Sequence, residues 1–220
     1  LAFPRSPTQH CLTSKFQNHS IKLDIYAIEI RRGIFYSATV LVGNMEGKMS
    51  VTLVTILKDS EYRLSQFENT SYIAELENKI VIKTDKTGKQ ICYLPCLIRK
   101  KDIKVTPEEI VRQLYLSKLV REYGYPTDRI QVEYPVKFGR EVKRADIVIL
   151  DKDRPTVPYI IVELKKPKLK DGKEQLKSYC NATGAPIGVW TNGSQISYYN
   201  RKDPNDFEDI TNIPKASERL

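Results

Sequence analysis

Apolar and polar positions alternate differently in the two halves of the chain. In the first half, β-branched and aromatic residues predict strands over residues 21–30, 34–42 and 48–57. Arg32-Gly33 and the run Gly43-Asn44-Met45-Glu46-Gly47 supply the turns, so the expectation is an antiparallel meander. Residues 61–69 carry a weak helical pattern, and 72–76 read equally well either way. Residues 79–84 and 90–98 flank Asp85-Lys86-Thr87-Gly88-Lys89 as a further hairpin. Residues 1–20, with Pro4 and Pro7 among few apolar positions, read as a loosely ordered arm.

The charge run Arg99-Lys100-Lys101-Asp102 separates this texture from the next, and the domain boundary is expected there: a β-rich region over 1–98, then a domain over 99–220. Thr106-Pro107-Glu108-Glu109 has the marks of a helix start, an N-cap threonine, proline in the first turn and glutamate three residues after the cap. Ile110, Val111, Leu114, Tyr115, Leu119 and Val120 recur at helical spacing until Gly124-Tyr125-Pro126. Strands follow at 130–138, 144–150 and 158–164, then a polar helix at about 171–182. Two last strands, 187–191 and 195–199, are joined by Asn192-Gly193, a two-residue hairpin signal. The order in this half is α-β-β-β-α-β-β, an α/β arrangement with a mixed sheet flanked by helices.

Composition adds little to this picture. Hydrophobic residues make up 40% and charged residues 29%, no apolar run is long enough to span a membrane, and no signal-peptide core is visible, so a cytoplasmic protein with no membrane partner is expected. The chain begins with Leu1 and reads as a processed or partial sequence. A net charge of +9 favours a polyanionic partner. Residues 1–100 hold 14 Lys+Arg against 9 Asp+Glu, and residues 101–220 hold 22 against 18, so the excess is spread out and solvated lysine faces explain part of it. Cys11, Cys92, Cys96 and Cys180 are expected reduced. Cys92 and Cys96 lie in a strand-like run and fit buried small hydrophobes better than zinc ligands.

Charges in two apolar strands carry the chemistry. Arg144-Ala145-Asp146-Ile147-Val148-Ile149-Leu150 and Tyr159-Ile160-Ile161-Val162-Glu163-Leu164-Lys165 both read as buried strands, a setting that ordinarily avoids Asp, Glu and Lys. Neighbouring strands would bring Asp146, Glu163 and Lys165 together. Phosphodiester hydrolysis needs an activated water and stabilised charge on the phosphate, and Mg2+ held by two strand-borne carboxylates and a backbone carbonyl can supply both. Glu163 and Lys165 share a strand face, so the lysine is placed to orient or deprotonate water or to neutralise phosphate. The plain alternative is a salt bridge at a strand end.

With these residues in place, the second half resembles the PD-(D/E)xK nuclease superfamily, and within it the N-terminal nuclease domain of type I restriction enzyme R subunits. Thr106–Gln113, Glu122-Tyr123-Gly124-Tyr125-Pro126, Arg144-Ala145-Asp146-Ile147, Val162-Glu163-Leu164-Lys165-Lys166-Pro167 and Val189-Trp190-Thr191-Asn192-Gly193 fall in that family's order across about residues 99–200. Ala145-Asp146 replaces the usual Pro-Asp. The resemblance implies a restriction-endonuclease-like core and a Mg2+-dependent DNA endonuclease, with Mn2+ as an alternative ion, Asp146 and Glu163 as metal ligands and Lys165 as catalytic lysine. It further implies a restriction-modification or related defence setting, with other subunits or fused domains as partners. Gln175 and Tyr179 match a Gln-x3-Tyr pattern and would contact phosphate or hold the site's geometry. Glu109 is expected near the metal, although it also suits the capping box; Glu108 could take that place, and Arg112 could pair with either. Lys166 and Lys168 would grip the DNA backbone. Trp190 is expected in the core. The competing function is a nucleic-acid-binding module on the same fold without activity.

Overall fold

In the computed structural model the described residues are 52–58, 60–68, 70–165 and 172–218, together with the backbone of 26–30 and 33–37. The chain divides into two compact units, residues 1–50 and 51–220. In the first, β1 (Tyr26–Ile30) pairs antiparallel with β2 (Gly33–Ser37). The other residues of the expected meander up to Val51, and the arm at 1–20, lie outside the described residues.

Residues 51–98 share their compact unit with everything that follows. The strand expected over 48–57 is instead helix α1 (Leu53–Leu57). Thr52 caps it by accepting from the Thr55 backbone N–H at 3.3 Å, Glu77 accepts from the Leu53 N–H at 2.7 Å, and Leu53 and Leu57, one turn apart, are both buried. Burial of that pair outweighs the strand preference of the β-branched run. A 3-10 turn covers Ser65–Phe67 where a weak helix was expected, and α2 (Tyr72–Glu77) resolves the ambiguous stretch. β3 (Val81–Thr84), β4 (Gln90–Pro95) and β5 (Asp102–Lys104) form a three-stranded antiparallel sheet. Cys96 is buried, as its apolar run suggested, whereas Cys92 on the same run is only partly buried.

The second half follows the expected order. α3 (Pro107–Arg121) starts where Thr106 accepts from the Glu109 N–H at 3.2 Å. Then come β6 (Ile130–Phe138), β7 (Glu141–Leu150), β8 (Pro158–Leu164), α4 (Gly172–Thr183), β9 (Ile187–Thr191) and β10 (Ile196–Asp203). A further strand, β11 (Asp206–Ile210), was not legible because Asp206-Phe207-Glu208-Asp209-Ile210 is mostly acidic. The sheet order is β11-β10-β9-β8-β7-β6, and only β8 and β9 run parallel, joined by the crossover through α4 that such a pair requires. The Asn192-Gly193 turn is a four-residue loop, because Thr191 pairs with Ile196. Asn192 Oδ1 accepts from the Ser194 and Gln195 N–H groups, closing the loop through its side chain.

Two apolar layers sandwich this sheet. Ile110, Val111, Leu114 and Leu119 of α3 pack against Ile147, Ile149, Ile160, Val162, Ile187 and Val189. On the opposite face Leu176, Tyr179 and Cys180 of α4 pack against Val148, Ile161, Trp190 and Tyr199. Ala145 lies with the α4 layer although Ile147, two residues on, lies with the α3 layer. A regular strand would keep both on one face. β6 makes the same switch, with Val132 on the α3 side and Tyr134 and Val136 on the α4 side. Between the pairs Val132–Ile147 and Tyr134–Ala145 stand Glu133 and Asp146, and Glu133 has φ +52°, a left-handed conformation unusual for a residue with a side chain. The irregularity sits at the aspartate singled out from the sequence.

Candidate active site

β7 and β8 separate at Asp146. Their backbone pairing ends at Ile147–Val162, and the next N–H on β8, that of Leu164, is taken by Asp146 Oδ2 at 2.7 Å. A side chain thus completes the ladder where the strands part. Asp146 Oδ1 accepts from Arg112 at 2.8 Å. The following amide, Lys165 N–H, bonds to the Thr191 carbonyl of β9 at 3.1 Å, which holds Lys165 in line just beyond the strand's end.

Glu163 points to the α4 face, opposite Trp190 in the parallel register. Its side chain is 1% exposed. Oε1 receives the Lys165 ammonium at 2.8 Å, while Oε2 is buried with no hydrogen-bond partner. Burial first, and then the neighbouring Asp146 charge, push its carboxyl up to about 8, against the opposing pull of Lys165. Burial works against the charge of Lys165 as well, but the hydrogen bond and charge of Glu163, with Asp146 behind it, outweigh that and raise its pKa. The ammonium is therefore charged at neutral pH, which suits a phosphate-neutralising cation better than a general base.

Arg112 is the hub on the α3 side. Its nearly buried guanidinium donates to Asp146, to Glu108 at 3.0 Å and to Glu109, and lies 3.8 Å from Glu133. The carboxylates raise its pKa despite burial. Glu109 also accepts from Gln113 Nε2 at 2.8 Å, so its two oxygens are engaged by Arg112 and Gln113. It reaches Asp146 through the arginine. Glu108 is half-exposed; burial and then Asp146 raise its carboxyl, with Arg112 and Lys165 opposing.

Gln175 donates to the Tyr179 hydroxyl at 2.5 Å, and that hydroxyl donates to the Arg144 carbonyl at 3.3 Å. The pair therefore fastens α4 to β7 two residues before Asp146, and Tyr179 is at the same time part of the core. Lys166 and Lys168 lie outside the described residues.

Arg112 pairs with both Glu109 and Glu108, as its helical spacing allowed, but its third partner, Asp146 on β7, escaped the sequence, as did the following contributions. Tyr62 arrives from the first half: its hydroxyl is buried without a partner, and burial, then Glu108 and Asp146, raise its pKa. The segment bearing it is tied down by Gln66, which donates to Thr191 Oγ1 and to the Gln195 carbonyl, each at 2.9 Å. A Cβ on Gly193, at φ +87°, would stand 2.5 Å from the Arg63 carbonyl, so this contact needs glycine. Trp190 is in the core as expected, yet its indole N–H is buried without a partner, and a Cβ on Gly172 would stand 2.5 Å from it and 2.4 Å from Lys165 Cγ. Close approach of α4 to the site thus requires Gly172.

Residues 107–214 match the family described as type I restriction enzyme R protein N terminus. That part of the chain resembles this family. The family description and the fold suggest a nuclease related to restriction enzymes, and the elements follow the restriction-endonuclease-like order expected from the sequence. No curated protein matches the chain. Among solved structures, a candidate nuclease of the DUF820 group from Anabaena variabilis ATCC 29413 is similar, with 13% identity, a TM-score of 0.36, and coverage of 52% of this chain and 75% of that one. No helix among the described residues is long and apolar enough to cross a membrane.

Proposed function

We propose that this chain is a Mg2+-dependent endonuclease domain that hydrolyses DNA phosphodiester bonds in a restriction or related defence system, alongside other subunits or fused domains in the cytoplasm. The observation that carries the reading is Glu163 Oε2, an acceptor buried without a partner beside a second carboxylate and an ammonium. A natural protein seldom leaves such an atom orphaned unless something binds it. Among the described residues no group of three or more His, Cys, Asp or Glu is arranged around a metal. On this reading two carboxylates, Asp146 and Glu163, would be the side-chain ligands, with backbone and solvent oxygens completing the set, a donor chemistry that suits Mg2+ or Mn2+. When bound, the ion supplies a more acidic water and a Lewis acid for the phosphate.

The chain's own groups do the rest. Lys165, fixed by Glu163 and by its backbone bond to β9, presents positive charge to the scissile phosphate. Arg112 holds Asp146 in position and carries its charge into the α3 layer, with Glu109 as the buried counter-ion. Gln175 and Tyr179 keep α4 at a fixed distance from β7. One observation favours the second reading, a binding module without activity: both oxygens of Asp146 already have protein partners. Each carboxylate oxygen accepts more than one bond, so this does not bar coordination.

Plasmid cleavage decides between them. The parent chain should nick or cut supercoiled DNA with Mg2+ and not with EDTA, and Asp146→Ala and Lys165→Ala should each lose at least about a hundredfold in rate. Equal cutting by all three would refute the assigned roles, and DNA binding without cutting by the parent would establish the binding module.

A further inference from the structure

β6 and β7 stay paired long after β7 has left β8. The β7–β8 register ends at Ile147, whereas β6–β7 pairing continues through Tyr134–Ala145, Pro135–Arg144, Val136–Lys143 and Lys137–Val142 to Phe138–Glu141. Five residue pairs therefore extend past the last β7–β8 pair as a two-stranded ribbon, about 17 Å long at the rise of a strand. Its base is Asp146. The two face switches at Glu133 and Asp146 turn one side of the ribbon onto α4, where Val136 is buried and Phe138 meets the Tyr179 ring at 5.9 Å. Cross-strand partners share a face, so Pro135, Arg144, Lys137 and Val142 form the other side. That side is open: Lys137, Val142 and Arg144 are exposed, Val142 to 55%, and Arg140 is exposed at the turn. With Lys143, the ribbon carries four cations against the single acid Glu141.

From this projection and charge, we propose that the β6–β7 ribbon is a duplex-DNA grip: its outer side and turn lie along the phosphates next to the bond being cut, with Lys137, Arg140 and Arg144 as the contacting groups. A two-stranded ribbon has the width of the DNA major groove, and its anchor on α4 fixes its direction relative to Asp146 and Lys165. The proposal rests on DNA being the substrate. Exposed lysines also protect an edge strand from pairing with other chains, and β6 is an edge strand, so a solvated ribbon is the outcome to be distinguished.

The test is duplex binding by fluorescence anisotropy with a labelled 30-mer (about three turns of DNA) in EDTA across a series of salt concentrations, for the parent and for the triple variant K137Q/R140Q/R144Q. All three side chains are exposed, and circular dichroism with thermal melting checks that the variant folds like the parent. Removing one cation from a phosphate flattens the slope of log K against log salt by about 0.9, so the slope of the triple variant should be shallower by up to about 2.7, with binding roughly a hundredfold weaker near 0.1 M salt. An unchanged slope and affinity would overturn the grip. Plasmid cleavage by the same two proteins separates this from the nuclease reading: a cutting parent with an unchanged variant slope removes the grip alone. A parent that binds through the ribbon without cutting removes the nuclease alone, and a parent that neither binds nor cuts removes both.

Discussion

Replacing Glu163 with glutamine should make the metal-free protein more stable at high pH while removing a metal ligand. Glu163 is 1% exposed, and its carboxyl is pushed from an ordinary 4.5 to about 8 by burial and by Asp146. A folded-state pKa above the unfolded value means that the folded form binds the proton more tightly. The associated stability is complete below about pH 4.5 and is lost as pH rises through about 8. At about 1.4 kcal/mol per pKa unit, the ceiling is about 5 kcal/mol. Relaxation and water entry lower this, and glutamine leaves Lys165 without its partner, so about 2 kcal/mol is the expected gain at pH 9. At pH 5 the parent carboxyl is mostly protonated and the two proteins should be nearly equal. Urea denaturation in EDTA at pH 5, 7 and 9 measures this. A Glu163→Gln protein no more stable than the parent at pH 9, or a parent whose stability does not fall from pH 5 to 9 relative to the variant, would refute the account of a charge buried without adequate compensation.

Other perturbations test the surroundings. Arg112→Met leaves Glu109 and Asp146 without their common cation and should cost about 3–5 kcal/mol in denaturant unfolding, with partial recovery in the Glu109→Gln/Arg112→Met double variant; full stability in the single variant would contradict its place as hub. Tyr62→Phe removes a buried hydroxyl that has no partner, so thermal melting should show no loss, or a gain of up to about 1 kcal/mol. Gly193→Ala sets a Cβ 2.5 Å from the Arg63 carbonyl in a left-handed conformation, and should cost about 2 kcal/mol or more and speed hydrogen exchange in residues 60–67, whereas a silent substitution would mean the loop yields easily.

How far the sequence carried the structure depended on the range of the signal. α3 was legible because Thr106, Pro107 and the helical apolar stripe are local marks, β6 because apolar and polar residues alternate along it, and β7 through β9 because each contains an apolar run. α1 was misread as a strand because Val54, Thr55 and Ile56 prefer strands, and only the burial of Leu53 and Leu57 against distant elements decides otherwise. Of the site, Asp146, Glu163 and Lys165 stood out because charges interrupt those apolar runs. Arg112 and Tyr62 did not: their importance lies in which carboxylates the fold brings beside them. The ribbon escaped for the same reason, since strand lengths alone do not say where a neighbouring strand stops.

Mg2+ binding followed by calorimetry at pH 7, in buffers of different ionisation enthalpy, tests the central claim most directly. With Glu163 Oε2 as a ligand and its carboxyl at about 8, the ion must displace the proton, so binding should release close to one proton in the parent and none in Glu163→Gln, which should bind far more weakly. Binding of equal strength in both proteins, or binding by the parent without proton release, would contradict the assignment of Asp146 and Glu163 as the metal platform.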